Sequence, residues 1–261
     1  MGRTLRLYKE FLRTSLSRDL EFRANFLMNV VRNIVWVAFS YVVIFVIFSQ
    51  TKSIAGWNQY LTLSLASVSI FVHAVFQSVC GGMMEIPQHV RLGTLDFVVT
   101  KPIDSQFWVT ARHVGFDRFG NLLVGFGGAI FFAIKGAPNA STFDWIAFSA
   151  LVPCSILMYY CFCMNLMTLA IFWVKVDNLW VLAEMSMDAA RYPLDVYPSK
   201  LKSFFLFVLP IGMLAYLPVN TLRVGANPQM LAIAAVWTAA LLVATRLFWT
   251  YAMRSYSSAS S

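Results

Sequence analysis

Long apolar runs separated by short polar segments dominate this chain, and only its first 25 residues show a repeating amphipathic stripe. Asn33 to Thr51, Ser53 to Met84, Phe119 to Ile134, Trp145 to Val174, Ser203 to Leu222 and Val224 to Thr245 contain no Asp, Glu, Lys or Arg. A helix needs about 20 mostly apolar residues to cross roughly 30 Å of hydrocarbon. Six such runs therefore predict an all-α polytopic membrane protein. The alternating ten-residue segments of a membrane β-barrel are not the pattern seen. Composition agrees, with 59% hydrophobic and 12% charged residues among 261, against about 25% charged in a soluble globular chain.

Residues 1–25 carry Arg3, Arg6, Lys9, Arg13, Arg18 and Arg23, with Leu5, Tyr8, Leu12, Leu16 and Leu20 at steps of three and four. This spacing predicts an amphipathic helix in the membrane surface, and its positive excess places it on the cytoplasmic side. A single transmembrane domain over 26–250 follows, with spans at about 26–48, 59–83, 116–134, 145–174, 178–190 and 228–249, and then a cytoplasmic tail over 251–261. The opening residues are too polar for a signal peptide's apolar core. Arg32, near the start of the first span, reads as an interface anchor that snorkels to the headgroups. Trp57, in the loop between the first two spans, is expected in an aromatic belt. His73 falls mid-span, where a polar ring needs a partner or a wet cavity. Gly120, Gly125, Gly127 and Gly128 in the third span permit close helix approach, and Lys175 with Asp177 marks an inner turn.

The second half is less regular. Glu184 and Asp188 lie four apart, on one helical face, and are expected to face a partner, line a wet path, or mark a short span near the outer interface. ARYPLDVYPSK, residues 190–200, breaks any helix at Pro193 and Pro198. Pro210 and Pro218 interrupt the next apolar run, so 199–222 is expected to form re-entrant or interfacial outer helices within an outer region 191–225. Broken backbone at membrane depth must be covered by protein or a cavity. The alternative is that 203–222 crosses fully and 178–190 does not. In either case both ends are cytoplasmic. The positive outer loop with Arg191, Lys200, Lys202 and Arg223 is the exception to the charge bias.

Candidate chemistry changes little. Cys80, Cys154, Cys161 and Cys163 form no CxxC pair and read as packing residues. The three histidines are scattered and suggest no metal. The net charge of +8 is placed at span edges and not in a nucleic-acid-binding stripe. No glycine-rich loop ending in Lys-Ser or Lys-Thr is present to hold a nucleotide.

The inner loop, 85–113, is the longest mixed segment. Pro87 is expected to stop the preceding helix, Gly93 to allow a sharp turn and Pro102 to end a short helix. Leu92, Leu95, Phe97, Val98 and Val99 would form a sticky face, rimmed by Arg91, Asp96 and Lys101. Such a loop is either a plain amphipathic connector or a protrusion seated in a partner's cleft.

These residues carry a resemblance. RLGTLDFVVTKP, from Arg91 to Pro102, resembles the first inner loop of ABC-2 type permease subunits, with a Gly-Thr-Leu-acidic core, apolar residues and a proline. YPLDVYP, Tyr192 to Pro198, and LPIGMLAYLP, Leu209 to Pro218, are similar to that family's proline-flanked stretch and outer re-entrant helices. ARYP, Ala190 to Pro193, points to an uncharacterised branch of exporter permeases. The resemblance implies the membrane subunit of an ATP-driven transporter in the bacterial cytoplasmic membrane, exporting a lipid, glycan, drug-like or other amphipathic compound by alternating access. It implies two cytoplasmic ABC ATPase subunits that hold the ATP and Mg, while this chain holds no cofactor. It also implies a second permease, identical or, as is common in this branch, a homologous different chain. Arg91, Leu92, Gly93, Thr94, Leu95, Asp96, Phe97, Lys101 and Pro102 would couple to the ATPase. The first, second and fifth helices would line the pathway, with His73, Glu184, Asp188, Arg191, Tyr192, Pro193 and Pro198 as pathway or outer-gate residues. Two other function classes remain open at this stage. One is a membrane enzyme or lipid-modifying protein using Glu184, Asp188 and His73, which the helix order does not bring together. The other is a non-transporting assembly factor.

Overall fold

The computed structural model describes residues 2–173, 179–207 and 211–256, and their regular structure is helical. Helix α1 (Gly2–Glu21) runs into α2 (Arg23–Gln50) through a bend at Phe22. α3 (Gln59–Cys80) starts on the Asn58 side chain, which accepts the Leu61 amide at 2.8 Å. A 3-10 turn, Gly81–Glu85, and three short helices, α4 (Ile86–Arg91), α5 (Asp96–Val99) and α6 (Ser105–Ala111), lead to a second 3-10 turn, Phe116–Arg118. Then come α7 (Phe119–Gly136), α8 (Thr142–Leu169), α9 (Leu179–Ala189), α10 (Ser199–Phe207), α11 (Ile211–Leu214), α12 (Tyr216–Val224) and α13 (Pro228–Ser255). The inner turn expected at Lys175 and Asp177 lies outside the described residues, as do Pro210 and the end of the tail.

Five helical stretches, Arg23–Gln50, Gln59–Arg91, Phe116–Gly136, Thr142–Leu169 and Pro228–Ser255, are long and apolar enough to cross a membrane. α9 is not, since its 11 residues rise only about 16 Å. It instead climbs beside α3 in the opposite direction. Glu184 meets His73, the Ser69 hydroxyl donates to the Met187 carbonyl at 3.4 Å, and the Trp57 indole donates to Asp195 at 2.7 Å. Residues 184 to 195 thus cover the same height as residues 73 to 57 of its neighbour.

The stretch from 199 to 224 is a hairpin of broken helices. Its inner point lies halfway along α8, where the Ser155 hydroxyl donates to the Met213 carbonyl at 2.9 Å. Its exit returns to the start of α8, where the Ala226 amide donates to Asp144 at 2.6 Å. Lys202 before residues 203–222 and Arg223 after them meet at the same carboxylate, Asp195, so the two ends of this segment lie together. Pro218 does not break a helix here. It sits in the first turn of α12, where a missing amide hydrogen costs no helical bond.

α3 is the buried centre, with every residue from Leu61 to Ile70 enclosed. α2, α7 and α13 present large apolar side chains outward, as helices facing lipid must. The tightest pairing is α3 with α7. Small residues on one face of α7, Gly125, Ala129, Ala133 and Gly136, are buried against α3. A methyl group at Gly125 would lie 2.7 Å from the Phe71 backbone nitrogen, and one at Gly128 would lie 2.8 Å from the Ser67 hydroxyl. Gly120 and Gly127 face open space, so two of the four glycines expected to permit close approach do so. The Ser64 hydroxyl donates to the Ala129 carbonyl at 2.9 Å and Asn58 donates to that of Gly136 at 2.9 Å, locking the register.

At the Trp57 end the fold is closed by one carboxylate. Asp195 accepts from Trp57 Nε1 at 2.7 Å, Tyr216 Oη at 3.0 Å, Arg223 at 2.9 Å and Lys202. Trp57 is fully buried, packed on Tyr216 with the Arg223 guanidinium 4.6 Å above its ring. It is a core residue and not part of an exposed aromatic belt. The positive charge of this loop is partly offset internally, because Lys202 and Arg223 share Asp195 and Arg191 pairs with Asp188, while Lys200 is exposed. Burial alone would raise the Asp195 pKa, but the bonds from Lys202, Trp57 and Tyr216 outweigh it and hold the carboxyl below its ordinary value. The Lys202 ammonium is held above its usual value by the same pair, against the opposing effect of burial.

Two predictions follow from this packing. Replacing Gly125 by Ala should lower the thermal midpoint in detergent by several degrees, whereas Gly127→Ala should leave it unchanged or raise it, since alanine favours helix by about 1 kcal/mol. The Asp195 contribution is present above the ordinary carboxylate range and is lost as pH falls through the lowered pKa. Asp195→Asn should therefore cost about 3 kcal/mol at neutral pH, the low end for unpairing a buried ion pair. Its thermal midpoint should also fall less than wild type between pH 6 and pH 3.

Candidate functional site

Two constellations stand out, at the end of the bundle that carries α1. The first is the connector from α3 to α7. Glu85 is its clamp, accepting from Arg112 and His113 and lying 3.7 Å from His89 Nε2. Arg112 Nη1 reaches His89 Nε2 at 2.9 Å, and His89 Nδ1 meets the Thr94 hydroxyl at 2.6 Å. The Trp108 ring lies between two cations, with Lys101 Nζ 4.2 Å and the Arg112 guanidinium 4.5 Å from its centroid. Such contacts hold better in a partly dry site than in water.

The connector is also tied to three other elements. The Ser15 hydroxyl of α1 accepts the Val114 amide at 3.1 Å, Arg246 of α13 forks onto Asp104 and Gln106, and Gln106 donates to Tyr160 of α8 at 2.9 Å. Burial would raise the Asp104 pKa, but Arg246 and the Phe107 amide draw it down. The α1 face that packs inward is Tyr8, Phe11, Leu12, Ser15 and Asp19, with Leu16 and Leu20 exposed. The expected stripe is therefore rotated by about one position over its second half.

Within the connector the expected sticky face splits. Leu95 and Val98 are buried in its own core, whereas Leu92 and Phe97 are 61% and 69% exposed. The side chain of Val99 lies outside the described residues. Gly93 takes φ +67°, the left-handed turn that glycine accepts without strain. Arg91, Lys101 and Pro102 are exposed, and Thr94 and Asp96 are half-buried. Pro87 starts α4 and does not stop α3, whose α-helical hydrogen bonding ends earlier, at Cys80.

The second constellation is a cavity of about 260 Å³ between α2, α3, α9 and the start of α7. His73 Nε2 lies 3.1 Å from Glu184 Oε1, and Gln77 Nε2 donates to the same oxygen at 3.1 Å. On the opposite wall Arg118 donates to Asn33 Oδ1 at 3.0 Å and lies 3.3 Å from Asp117, while Asn33 donates to the Asp117 carbonyl at 3.2 Å. Arg32, Trp36 and Trp180 complete the lining. His73 shares this space with residues at the start of α7 and near the start of α2, so it lies toward the α1 end and not at mid-height.

His73 and Glu184 therefore do converge, contrary to expectation from helix order, because α9 is short and runs beside α3. Asp188 does not join them. It is exposed and paired with Arg191, whose other branch donates to the Ser40 hydroxyl at 3.0 Å and whose plane lies 3.4 Å from the Trp36 ring. The three groups required by the enzyme reading are not assembled. Tyr192 and Pro193 instead line an apolar recess against Ile44 and Phe48, and Pro198 is exposed before α10. Asn33, Trp36, Gln77, Arg118 and Trp180 escaped the sequence reading. The one available signal was a cluster of polar side chains at the inner edges of three spans. Among the described residues no cluster of His, Cys, Asp and Glu is suited to a metal ion. The four cysteines are unpaired, with Cys161 and Cys163 fully buried.

Comparison with known proteins gives one match. No curated protein and no solved structure is similar enough to the chain to register. Residues 34–260 match the family described as ABC-2 family transporter protein, a span that takes in the connector, the hairpin and the cavity lining apart from Arg32 and Asn33. With five helices able to cross a membrane and a family match over most of its length, the chain belongs to the ABC-2 family of membrane transporter permeases.

Proposed function

We propose that this permease is the membrane subunit of an ATP-driven exporter, and that Leu92 and Phe97 on the 85–113 connector are the anchors that receive the motion of a cytoplasmic ATPase. Membership in the family implies pairing with ATPase subunits and with another permease chain. The observation that carries the coupling assignment is the contrast between a rigid, internally clamped connector and two large apolar side chains left outside it. Buried apolar anchors surrounded by charge are what hold most interfaces together. Arg91, Asp96 and Lys101 form that charged rim, and Gly93, Thr94, Leu95 and Pro102 fix its shape.

In this reading the connector, α1 and the tail face the cytoplasm of a bacterium. α9 with residues 190–195 makes the fifth of six passages, and the α10–α12 hairpin dips from the outer side, closed by Asp195. Two ATPase subunits bind and hydrolyse ATP with Mg, and a second permease, the same chain or a homologous one, completes the pathway. The exposed faces of α2 and α9 supply surface for that pairing. The cavity lined by α2, α3 and α9 lies on the pathway, where His73 and Glu184 contact cargo and Arg191 braces the wall through Trp36. ATP-driven closure moves Leu92 and Phe97, and the Asp104–Arg246 fork passes that movement to α13. Only differential binding between the two facing states gives transport a direction. The cargo class is an amphipathic compound.

Replacing Leu92 and Phe97 together by Ala should reduce ATPase co-purification in mild detergent by about tenfold or more while leaving the thermal midpoint unchanged, as for loss of interface anchors. Leu95→Ala should instead destabilise the fold by roughly 2–5 kcal/mol, as for a buried leucine. Failure of wild type to recover any ATPase would refute the reading. For the topology, Phe97→Cys in a background lacking the four native cysteines should react with a membrane-impermeant thiol reagent only after the cytoplasmic face is opened. Labelling of intact cells would place the connector outside.

A further inference from the structure

The cavity between α2, α3 and α9 has walls of opposite sign. Arg32 of α2, which is exposed, and Arg118 at the start of α7 line it with guanidinium groups, and Glu184 of α9 lines it with a carboxylate. Arg118 is matched by Asp117 at 3.3 Å. Arg32 has no hydrogen-bond or ion-pair partner among the described residues, although it lines the cavity. Both hydrogen bonds given to Glu184, from His73 and Gln77, fall on Oε1; among the described residues none falls on Oε2. Asp117 lies behind Arg118 and offsets its charge, which leaves Arg32 as the unpaired cation of the lining among the described residues and Glu184 as its anion. The site is therefore dipolar, and the indoles of Trp36 and Trp180 also line it, with the Arg191 guanidinium stacked on Trp36 at 3.4 Å.

We propose that this cavity receives the dipolar head of an amphiphile, with a phosphate-type anion against Arg32 and Arg118 and an ammonium group against Glu184 and the Trp180 indole. An arginine fork matches phosphate oxygens, and tryptophan faces with a carboxylate suit an ammonium. A singly charged head would leave one wall unmatched in a partly dry space, which is costly. The tail has a path of its own. Val35 and Phe39 on α2 and Val181 and Met185 on α9 flank the lining positions and are exposed, so an acyl chain can lie along them in the membrane while the head enters sideways. The cavity lies at the α1 end, level with the start of α7, which is the headgroup level of the inner leaflet if α1 is cytoplasmic.

The substrate class so named rests on the permease reading only in treating the occupant as cargo. Its binding is measurable without ATP or an ATPase, so the two ideas fail separately. The full-length chain in maltoside micelles would be titrated with lipids of one brominated acyl composition bearing phosphoethanolamine, phosphate or trimethylammonium heads, with quenching of tryptophan fluorescence as readout. Trp36→Phe with Trp180→Phe identifies the signal that comes from the cavity. The phosphoethanolamine lipid should quench at the lowest mole fraction. Arg32→Gln should raise its half-saturation by about tenfold or more, the scale of one charge-assisted hydrogen bond, and Arg32→Lys should restore most of the loss. Gel filtration and thermal midpoint should be unchanged in the Arg32 variants, which remove no internal partner. Glu184→Gln should abolish the preference for the dipolar over the phosphate head. Equal quenching by all three heads, or indifference to Arg32→Gln, would overturn the proposal. So would competition by water-soluble phosphoethanolamine as strong as that of the lipid, which would make the site a small-ion site.

Discussion

α3 has to be enclosed by protein on every side, and the rest of the architecture answers that requirement. It carries Ser64, Ser67, Ser69, His73 and Gln77 through the bundle, and none of these is tolerable against hydrocarbon without a partner. Lipid supplies no hydrophobic drive for helices to associate, so close approach and interhelical hydrogen bonds must do it. α7 meets this need with small residues at Gly125, Ala129, Ala133 and Gly136, and Tyr41 on α2 reaches the Ser67 hydroxyl at 2.9 Å. α9 covers the remaining polar side. Its shortness is tolerable because the following residues, with Pro193 and Leu194 buried, complete the climb in an irregular form protected by α3 and the hairpin.

The same enclosure makes the α1 end mechanically continuous. The connector leaves α3 directly through a 3-10 turn, is pinned by Glu85, and touches α1 through Ser15 and α13 through Arg246 and Trp249, whose indole donates to Ser105 at 3.1 Å. The connector is therefore bonded to α1, to α13 and, directly along the chain, to α3. At the opposite end the hairpin is held by Asp195, a single carboxylate joining four donors from separate segments. That node is joined to the apolar core, because Trp57 and Tyr216, two of its donors, are packed on each other within it.

Much of this was legible in the chain. The spans with unbroken apolar runs appear as long helices within a few residues of expectation, because length and hydropathy are read directly from residue type. The irregular stretch after α9 was legible from Pro193 and Pro198, whereas Pro218 lies in the first turn of a helix and does not interrupt one, and Pro210 lies outside the described residues. What was not legible is tertiary. Trp57 looked like a belt residue because an exposed and a buried indole have the same one-dimensional context, and only the fold brings Asp195 to it across 138 positions. The pairing of His73 with Glu184 depends on the height at which a short helix sits beside a long one. No periodicity encodes that height. Arg32, expected as a snorkelling anchor, is exposed and also lines the cavity, which cannot be read from one helix of its lining.

The position of the cavity follows from the same constraint. An ionised carboxylate near a membrane must be compensated, and Glu184 is compensated on one oxygen by two side chains from α3. Closing the other side with a third protein donor would have made a static, satisfied core of the kind built around Asp195. Here the opposite wall is held back by its own pairing of Arg118, Asn33 and Asp117, which keeps those groups from collapsing onto Glu184. The Arg191–Trp36 stack props α2 against the end of α9 in the same way. The gap is therefore maintained by polar contacts on both flanks. A space kept open between opposite charges, beside helices with exposed apolar faces, sets this region apart from the closed node around Asp195.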